Sequence, residues 1–502
     1  MIECNPIAAM LAMPPFSLLP VQLFWRLASS LQEIAQLICR FRDSPITPRA
    51  TRDFEHQLGK LLLEVGRQIV EWSFNNCEPD SPDLLPTQVR LEGAVYQRVY
   101  RKTANRLVGT LFGTITLMRF LYRPIEERLA SISPLEIRLG LEQGRATPAL
   151  ADRVGQYSAQ CTQQAVLQML LQDHNVQWSV HLLRKVTGSV AAGMSEHRHA
   201  AQVAKVLEKL KIADASKGSR RPILCVGRDG IFAPTRAAGN PTAYREAAVA
   251  TVSAYDRRGC RVGTVYLGQM PEEGQGALSS QLTSLIQDVL KQWSGPMPRL
   301  VYVTDAGQQQ TQYFKRVLRR MVNPRSPGER LKWEWVLDYY HVCQYVSALA
   351  AAMLGAGRET QAWAAKMRRW LKHKPRGIHR VLHSAAALRK RRGLVGSAKD
   401  YDKAYGYLTR RIKFLDYCTY RKFHLPIGSG VTEACCKTVI TQRLKQSGMS
   451  WTIEGGQTIV DLRVIYLSGT WEATRQAYLQ SKDVETIRTQ MDMGRHAATK
   501  AV

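Results

Sequence analysis

The stretch RPILCVGRDGIFAPT, residues 221–235, decides how the rest of the chain reads. Ile223, Leu224, Cys225 and Val226 form an apolar run that reads as a buried strand. It ends in Arg228, Asp229 and Gly230, which leaves a carboxylate at the strand's polar exit. Asp-Gly after a strand is usually a turn in which glycine supplies a positive φ. Asp229 gains weight from two later acids, Asp305 and Glu433, which a folded sheet can bring to the same place.

Outward from this stretch the pattern is ordered. AAVATVSAYD at 247–256 and RVGTVYLG at 261–268, joined by a turn at Arg257–Gly259, read as second and third strands, antiparallel by their short connection. ALSSQLTSLIQDVL at 277–290 places Leu278, Leu282, Leu285, Ile286 and Val289 on one helical face. RLVYVTDAG at 299–307 is a fourth strand running into Asp305, a helix follows at 308–321, and LKWEWVLDYYH at 331–341 is a fifth strand. This α/β order, β-β-β-α-β-α-β, predicts a mixed five-stranded sheet covered by helices. The first and fourth strands then lie side by side, so Asp229 and Asp305 approach each other.

Between 345 and 424 the pattern becomes helical and basic. Residues 366–422 carry eighteen Lys and Arg against Asp400, Asp402 and Asp416, a net of +15, with Trp and Tyr interleaved. This suits phosphate contact and base stacking, and Arg389, Lys390, Arg391 and Arg392 are its densest run. IGSGVTEACCKTVITQRLK at 427–445 reads as a Gly-Ser-Gly turn followed by a helix, with Glu433 and Lys437 one turn apart on one face. Residues 447–472 read as a final packed helix, and 473–502 as a polar, mobile tail.

Upstream, 19–42 and 50–75 have helical spacing, 75–87 is a Pro- and Asp-rich loop, and LVGTLFGTITLMRFLYRP at 107–124 reads as a β-hairpin. Helices at 160–172 and 179–194 around DHNVQW suit a helix-turn-helix with Ser179, His181, Arg184 and Lys185 on the recognition helix; an ordinary helical hairpin fits equally. The expected partition is 1–88 helical, 89–146 hairpin, 147–212 helix-turn-helix-like, 213–344 and 425–472 the two parts of the core, 345–424 the insertion and 473–502 the tail.

Over 502 residues, 70 Lys and Arg against 41 Asp and Glu give +29, which implies a polyanionic partner; a ribosomal or membrane-surface role would also carry such a charge. The ten cysteines are scattered without a C-x-x-C pair, which reads as buried thiols in a reducing compartment. The apolar N-terminus has Glu3 where a leader has basic residues, and Pro14, Pro15 and Pro20 interrupt any spanning helix, so the expected location is cytoplasmic, with no membrane partner.

Three carboxylates suit phosphoryl transfer with hard divalent ions: two ions about 3.5 to 4 Å apart activate the attacking oxygen and stabilise the leaving one. Asp229 in GRDG, Asp305 in VTDAG and Glu433 in GSGVTEACCKTVI, in that order around a helical insertion, resemble the DDE transposases of bacterial insertion sequences. DYYH at 338–341 is similar to the D-x-x-H signature of the Mutator-like superfamily. LFGTITLMRFLYRP, RLGLEQGRATPALADRVG and WSVHLLRKVTG are most similar to the Kra-type group. The resemblance covers roughly 100–470. It implies an RNase H-like core in which Asp229 bridges two Mg²⁺ or Mn²⁺ ions, Asp305 binds one and Glu433 the other, with Asp338 and His341 shaping the site or contacting DNA. A packed or capped strand-end histidine is the competing reading of His341.

The implied activity is cleavage at terminal inverted repeats in double-stranded DNA and strand transfer into target DNA, by at least a dimer. The alternatives are an RNase H-like nuclease or resolvase without strand transfer, and a non-catalytic, transposase-derived DNA-binding protein. Many relatives carry a paired-cysteine, zinc-ribbon-like segment before the hairpin. Here only Cys77 lies near, so no zinc is expected and end recognition rests on the helical and hairpin elements.

Overall fold

The computed structural model describes residues 19–125, 129–237 and 240–498. The N-terminal stretch weighed as a leader or anchor lies outside them up to residue 18. The chain forms two units, Met1–Glu196 with Arg475–Val502, and His197–Thr474.

The first unit opens with helices α1 (Leu19–Asp43) and α2 (Pro48–Asn75), the second capped by Thr47, whose hydroxyl accepts from Ala50 N. Two small sheets follow rather than a hairpin alone. Strands β1 (Gln88–Leu91), β2 (Ala94–Arg98) and β5 (Tyr122–Pro124) form one, and β3 (Thr103–Thr110) and β4 (Gly113–Arg119) the expected hairpin. Among the described residues the outer edge of β4 has no strand partner, and side chains take that role. Glu71 accepts from Thr116 N, Asn75 bonds Thr116 O and Met118 N, and Glu78 accepts from Phe120 N. Helices α3 (Pro134–Arg138), α4 (Pro148–Gln160), α5 (Gln163–His174) and α6 (Val180–Asp214) complete this part, and the unit boundary falls inside α6.

Two expectations change here. The second helix of the helix-turn-helix reading is not short, because α6 runs for 35 residues. Gly188 and Gly193 do not stop it, since the Ala-, Leu-, Lys- and Glu-rich continuation has strong helix propensity. Residues from 473 are likewise not an unstructured tail but part of a helix spanning Trp471–Ala498. Its Tyr478 and Lys482 both bond the buried Glu142 carboxylate, at 2.9 Å each, which ties this segment to the first unit.

The second unit is built on β6 (Ile223–Thr235), β7 (Ala243–Tyr255), β8 (Arg261–Gln269), β9 (Arg299–Thr304) and β10 (Trp333–Leu337), in the order β10-β9-β6-β7-β8. The pairs β6–β7 and β7–β8 are antiparallel; β6–β9 and β9–β10 are parallel. The first and fourth strands of the mixed sheet are thus neighbours, as the element order predicts. Helix α7 (Gly276–Gln292) covers one face with Leu278, Leu282 and Ile286, and α8 (Gln308–Arg316) links β9 to β10. The insertion follows as α9 (Tyr339–Leu354), α10 (Arg358–His373), α11 (Gly377–Arg392), α12 (Ala398–Arg410) and α13 (Tyr417–Lys422). On the other face lie α14 (Gly430–Cys435), continued by a π-helical turn at Cys436–Thr441, and α15 (Ile453–Leu467). There Val439, Ile440, Val460 and Val464 pack on Val249 and Ala247.

Candidate active site

Asp229 does not end its strand. β6 continues to Thr235 because β7 pairs with all thirteen of its residues, and Asp229 sits opposite Val249. Gly230 is a strand residue, not the positive-φ member of a turn. What ends near Asp229 is the parallel neighbour. The β6–β9 ladder closes at Gly227 opposite Val303, and Asp305 follows β9 directly. Counting two residues on from that pair sets Asp229 level with Asp305, on strands about 4.8 Å apart. Asp338 follows β10 in the same way, since Leu337 pairs with Thr304 and Asp338 N donates to Thr304 O at 2.8 Å. Three acids therefore stand at one level across neighbouring parallel strands, Asp305 and Asp338 just past the ends of β9 and β10 and Asp229 within β6, where its parallel pairing stops.

Glu433 reaches this edge on α14, and Gly227 decides where α14 sits. A Cβ on Gly227 would lie 1.9 Å from Thr432 Oγ1, so only glycine admits the helix. Thr432 Oγ1 also meets Thr251 Oγ1 at 3.0 Å, across the strand pair from Gly227. One turn along, the Cys436 thiol donates to Asp229 Oδ2 at 3.5 Å, while Gly230 N donates to Oδ1 at 2.8 Å. Burial, reinforced by the charges of Asp305 and Glu433, pushes the Asp229 carboxyl up to about 6.

Asp338 has a different role from the other three. It is 1 % exposed, caps α9 by accepting from His341 N at 2.7 Å, and accepts from Ser429 N and Oγ at 2.5 Å each. The D-x-x-H spacing is thus a helix cap: Asp338 at the N-cap and His341 three residues into the first turn, not at a strand end. Asp338 fixes the 427–430 loop, whose Ser429 Oγ also lies 2.8 Å from Glu433 Oε1. The His341 ring packs edge-on against Tyr345 and Tyr407, centroids 5.4 and 6.1 Å away.

The donor set is hard oxygen throughout and carries repelling charges, which fits a divalent cation better than a soft one. As the side chains stand, no group of three or more His, Cys, Asp or Glu among the described residues is drawn close enough to hold a metal ion. Glu433 instead faces Ser429 and is exposed.

The basic candidates are dispersed. Arg184 and Lys185 are exposed on α6, where Arg184 bonds Gln163 Oε1 at 3.1 Å. Lys437 is exposed one turn beyond Glu433. Within the run on α11, Arg389 pairs with Asp402 at 3.1 Å and Arg392 with Glu359 at 2.5 Å, while Lys390 and Arg391 are exposed. Sequence reasoning missed Ser429, Thr432 and Cys436, which hold the acids; only their helical spacing around Glu433 signals them. No family model matches the chain, and no curated protein is significantly similar to it. No helix among the described residues is long and apolar enough to cross a membrane.

Proposed function

We propose that the protein is a DDE-type transposase with an RNase H-like core, acting in the cytoplasm on double-stranded DNA as at least a dimer. The observation that carries this reading is the level placement of Asp229 and Asp305 on neighbouring parallel strands, with α14, seated on Gly227, bringing Glu433 to the same edge. Asp229, Asp305 and Glu433 are the residues that would hold Mg²⁺ or Mn²⁺. Such ions supply activation of the attacking oxygen and neutralisation of the leaving one. The chain's own part is to fix the acids: Gly227 seats α14, Asp338 and Ser429 fix the loop before it, and Cys436 and Gly230 orient the Asp229 carboxylate.

In the first reaction water attacks a phosphodiester at the element end, the P–O3′ bond breaks, and a 3′-OH is released. In the second, that 3′-OH attacks a target phosphodiester and displaces another 3′-oxygen, joining the strands. The test uses oligonucleotides carrying the terminal inverted repeats that flank the gene. Asp229→Asn should abolish Mg²⁺-dependent cleavage and keep DNA binding; undiminished cleavage refutes the assignment. Precleaved ends then separate transposase from nuclease, because a nuclease or resolvase gives no joined product. A wild-type protein that binds the ends and never cuts them is a DNA-binding factor instead.

A further inference from the structure

The insertion's charge is not spent evenly. Arg389 and Arg392 face Asp402 and Glu359, but Arg376 and Arg380 enter no ion pair among the described residues. Both line an open cleft at the elbow between α10 and α11, together with His379, His383, Ser384 and the indole of Trp370, and no acid lines it. The elbow is built to bring these groups together. A Cβ on Gly377 would lie 2.5 Å from Trp370 O and 2.8 Å from Leu371 Cα, so glycine lets the start of α11 rest on the end of α10. Arg376, just before it, has φ 51°, a left-handed conformation that residues with a side chain seldom adopt. His379 and His383, one helical turn apart, add two further donors on the same wall. Lys366 Nζ lies 4.9 Å over one face of the Trp370 ring, so a base stacking on that face would take the place of the ammonium.

A flat aromatic surface beside unpaired cationic side chains matches one chemical unit, a nucleotide: the base stacks and the phosphate takes the charge. A paired base keeps its faces within the duplex stack, so the unit must be unpaired. We propose that the α10–α11 elbow binds an unpaired nucleotide of a DNA strand, its base against Trp370 and its phosphate against Arg376 and Arg380. This rests on reading the protein as one that acts on DNA, and it adds that the insertion recognises a single-stranded feature.

The test is fluorescence anisotropy of the full-length protein in EDTA, with a labelled duplex carrying a short single-stranded overhang and the blunt duplex of the same sequence. The wild type should favour the overhang about tenfold. Trp370→Ala should erase that preference while blunt-duplex affinity stays within about twofold, and Trp370→Phe, which keeps a ring, should retain it. The double variant Arg376→Gln/Arg380→Gln should weaken overhang binding and lower the slope of log affinity against log salt by about 0.7, the share of one single-strand phosphate. No preference in the wild type overturns the proposal, and so does a preference that survives Trp370→Ala. Displacement of the overhang by an equal concentration of free deoxynucleoside monophosphate would place a mononucleotide in the cleft and overturns it too. Because no divalent ion is present, nothing is cleaved in this assay and only binding is read, so this proposal and the cleavage reading can fail separately.

Discussion

Gly227→Ala tests the seating of α14 without relying on any assay of function. The added methyl would stand 1.9 Å from Thr432 Oγ1 and 2.8 Å from Thr251 Oγ1, whereas ordinary contact begins at 3.4 Å. Thr432 is 3 % exposed and β-branched, so rotation offers little relief, and α14 must withdraw by roughly 1.5 Å. Overpacking of this kind costs about 1–3 kcal/mol. Thr432→Ala alone loses the bond to Thr251, about 1 kcal/mol. Combined, the two changes remove the nearer oxygen and leave Thr251 Oγ1 at 2.8 Å and Thr432 Cβ at 3.2 Å, so the relief is partial and the double variant should be more stable than the sum of the single losses by about 1 kcal/mol. Urea titrations of the four proteins measure this coupling. Costs that add to within about 0.5 kcal/mol would refute the seating. Glu433 is the next residue, and a shift near 1 Å at a reacting group costs about 100-fold, so cleavage should fall with Gly227→Ala and recover in part in the double variant.

Three further outcomes follow from the site. The Asp229 carboxyl is raised from 3.8 to about 6, so its folded form resists ionisation: the penalty is absent below about pH 4, grows between the two values and is full above pH 6. In EDTA, Asp229→Asn should therefore be more stable than the wild type by about 2–3 kcal/mol at pH 7 and nearly equal to it at pH 4, by urea titration; a difference independent of pH contradicts the assignment. Asp338→Ala strips the α9 cap and leaves Ser429 N without its acceptor, which should cost about 3 kcal/mol, against about 1 kcal/mol for Ser429→Ala, by the same measurement. Burial pushes the Cys435 and Cys436 thiols well up, so brief iodoacetamide treatment of the folded protein should label exposed Cys39, Cys77 and Cys260 and spare this pair, as mapped by mass spectrometry.

The strand order was legible because it depends on local signals: short turns force antiparallel neighbours, and an intervening helix permits parallel ones. Strand extent was not, because it is set by the partner. The Asp-Gly at 229–230 has the composition of a turn, yet thirteen paired residues of β7 hold it extended. DYYH reads as a signature at a strand end, while its spacing serves a helix cap, a function that needs only Asp at one position and a backbone N–H three residues on. The Arg389–Arg392 run drew the eye as charge, but the acids that answer it lie 33 and 13 residues away in sequence. Arg376 and Arg380 are two of many basic residues in that stretch of sequence, and it is the elbow at Gly377 that sets them with Trp370 around one cleft.

The insertion also braces the acids it interrupts. From α12, the Tyr407 hydroxyl donates to Asp305 O at 3.1 Å, and from α13 the Tyr417 hydroxyl donates to Leu337 O, beside Asp338, at 2.9 Å. Burial raises both phenols, so they remain protonated donors across the working pH range. The Tyr339 N bond to Ile427 O, 2.8 Å, ties the start of α9 to the loop that precedes α14. Asp229 is held in a thirteen-residue ladder, Asp305 by Tyr407, and Glu433 by α14 on Gly227. These contacts come from the protein alone, so the frame that carries the three carboxylates is built by the fold. Burial first, and then the charges of Asp305 and Glu433, raises the Asp229 carboxyl, and a proton relieves both costs. A divalent cation between the acids would relieve the same repulsion, which is what the proposed metal-dependent chemistry asks of them.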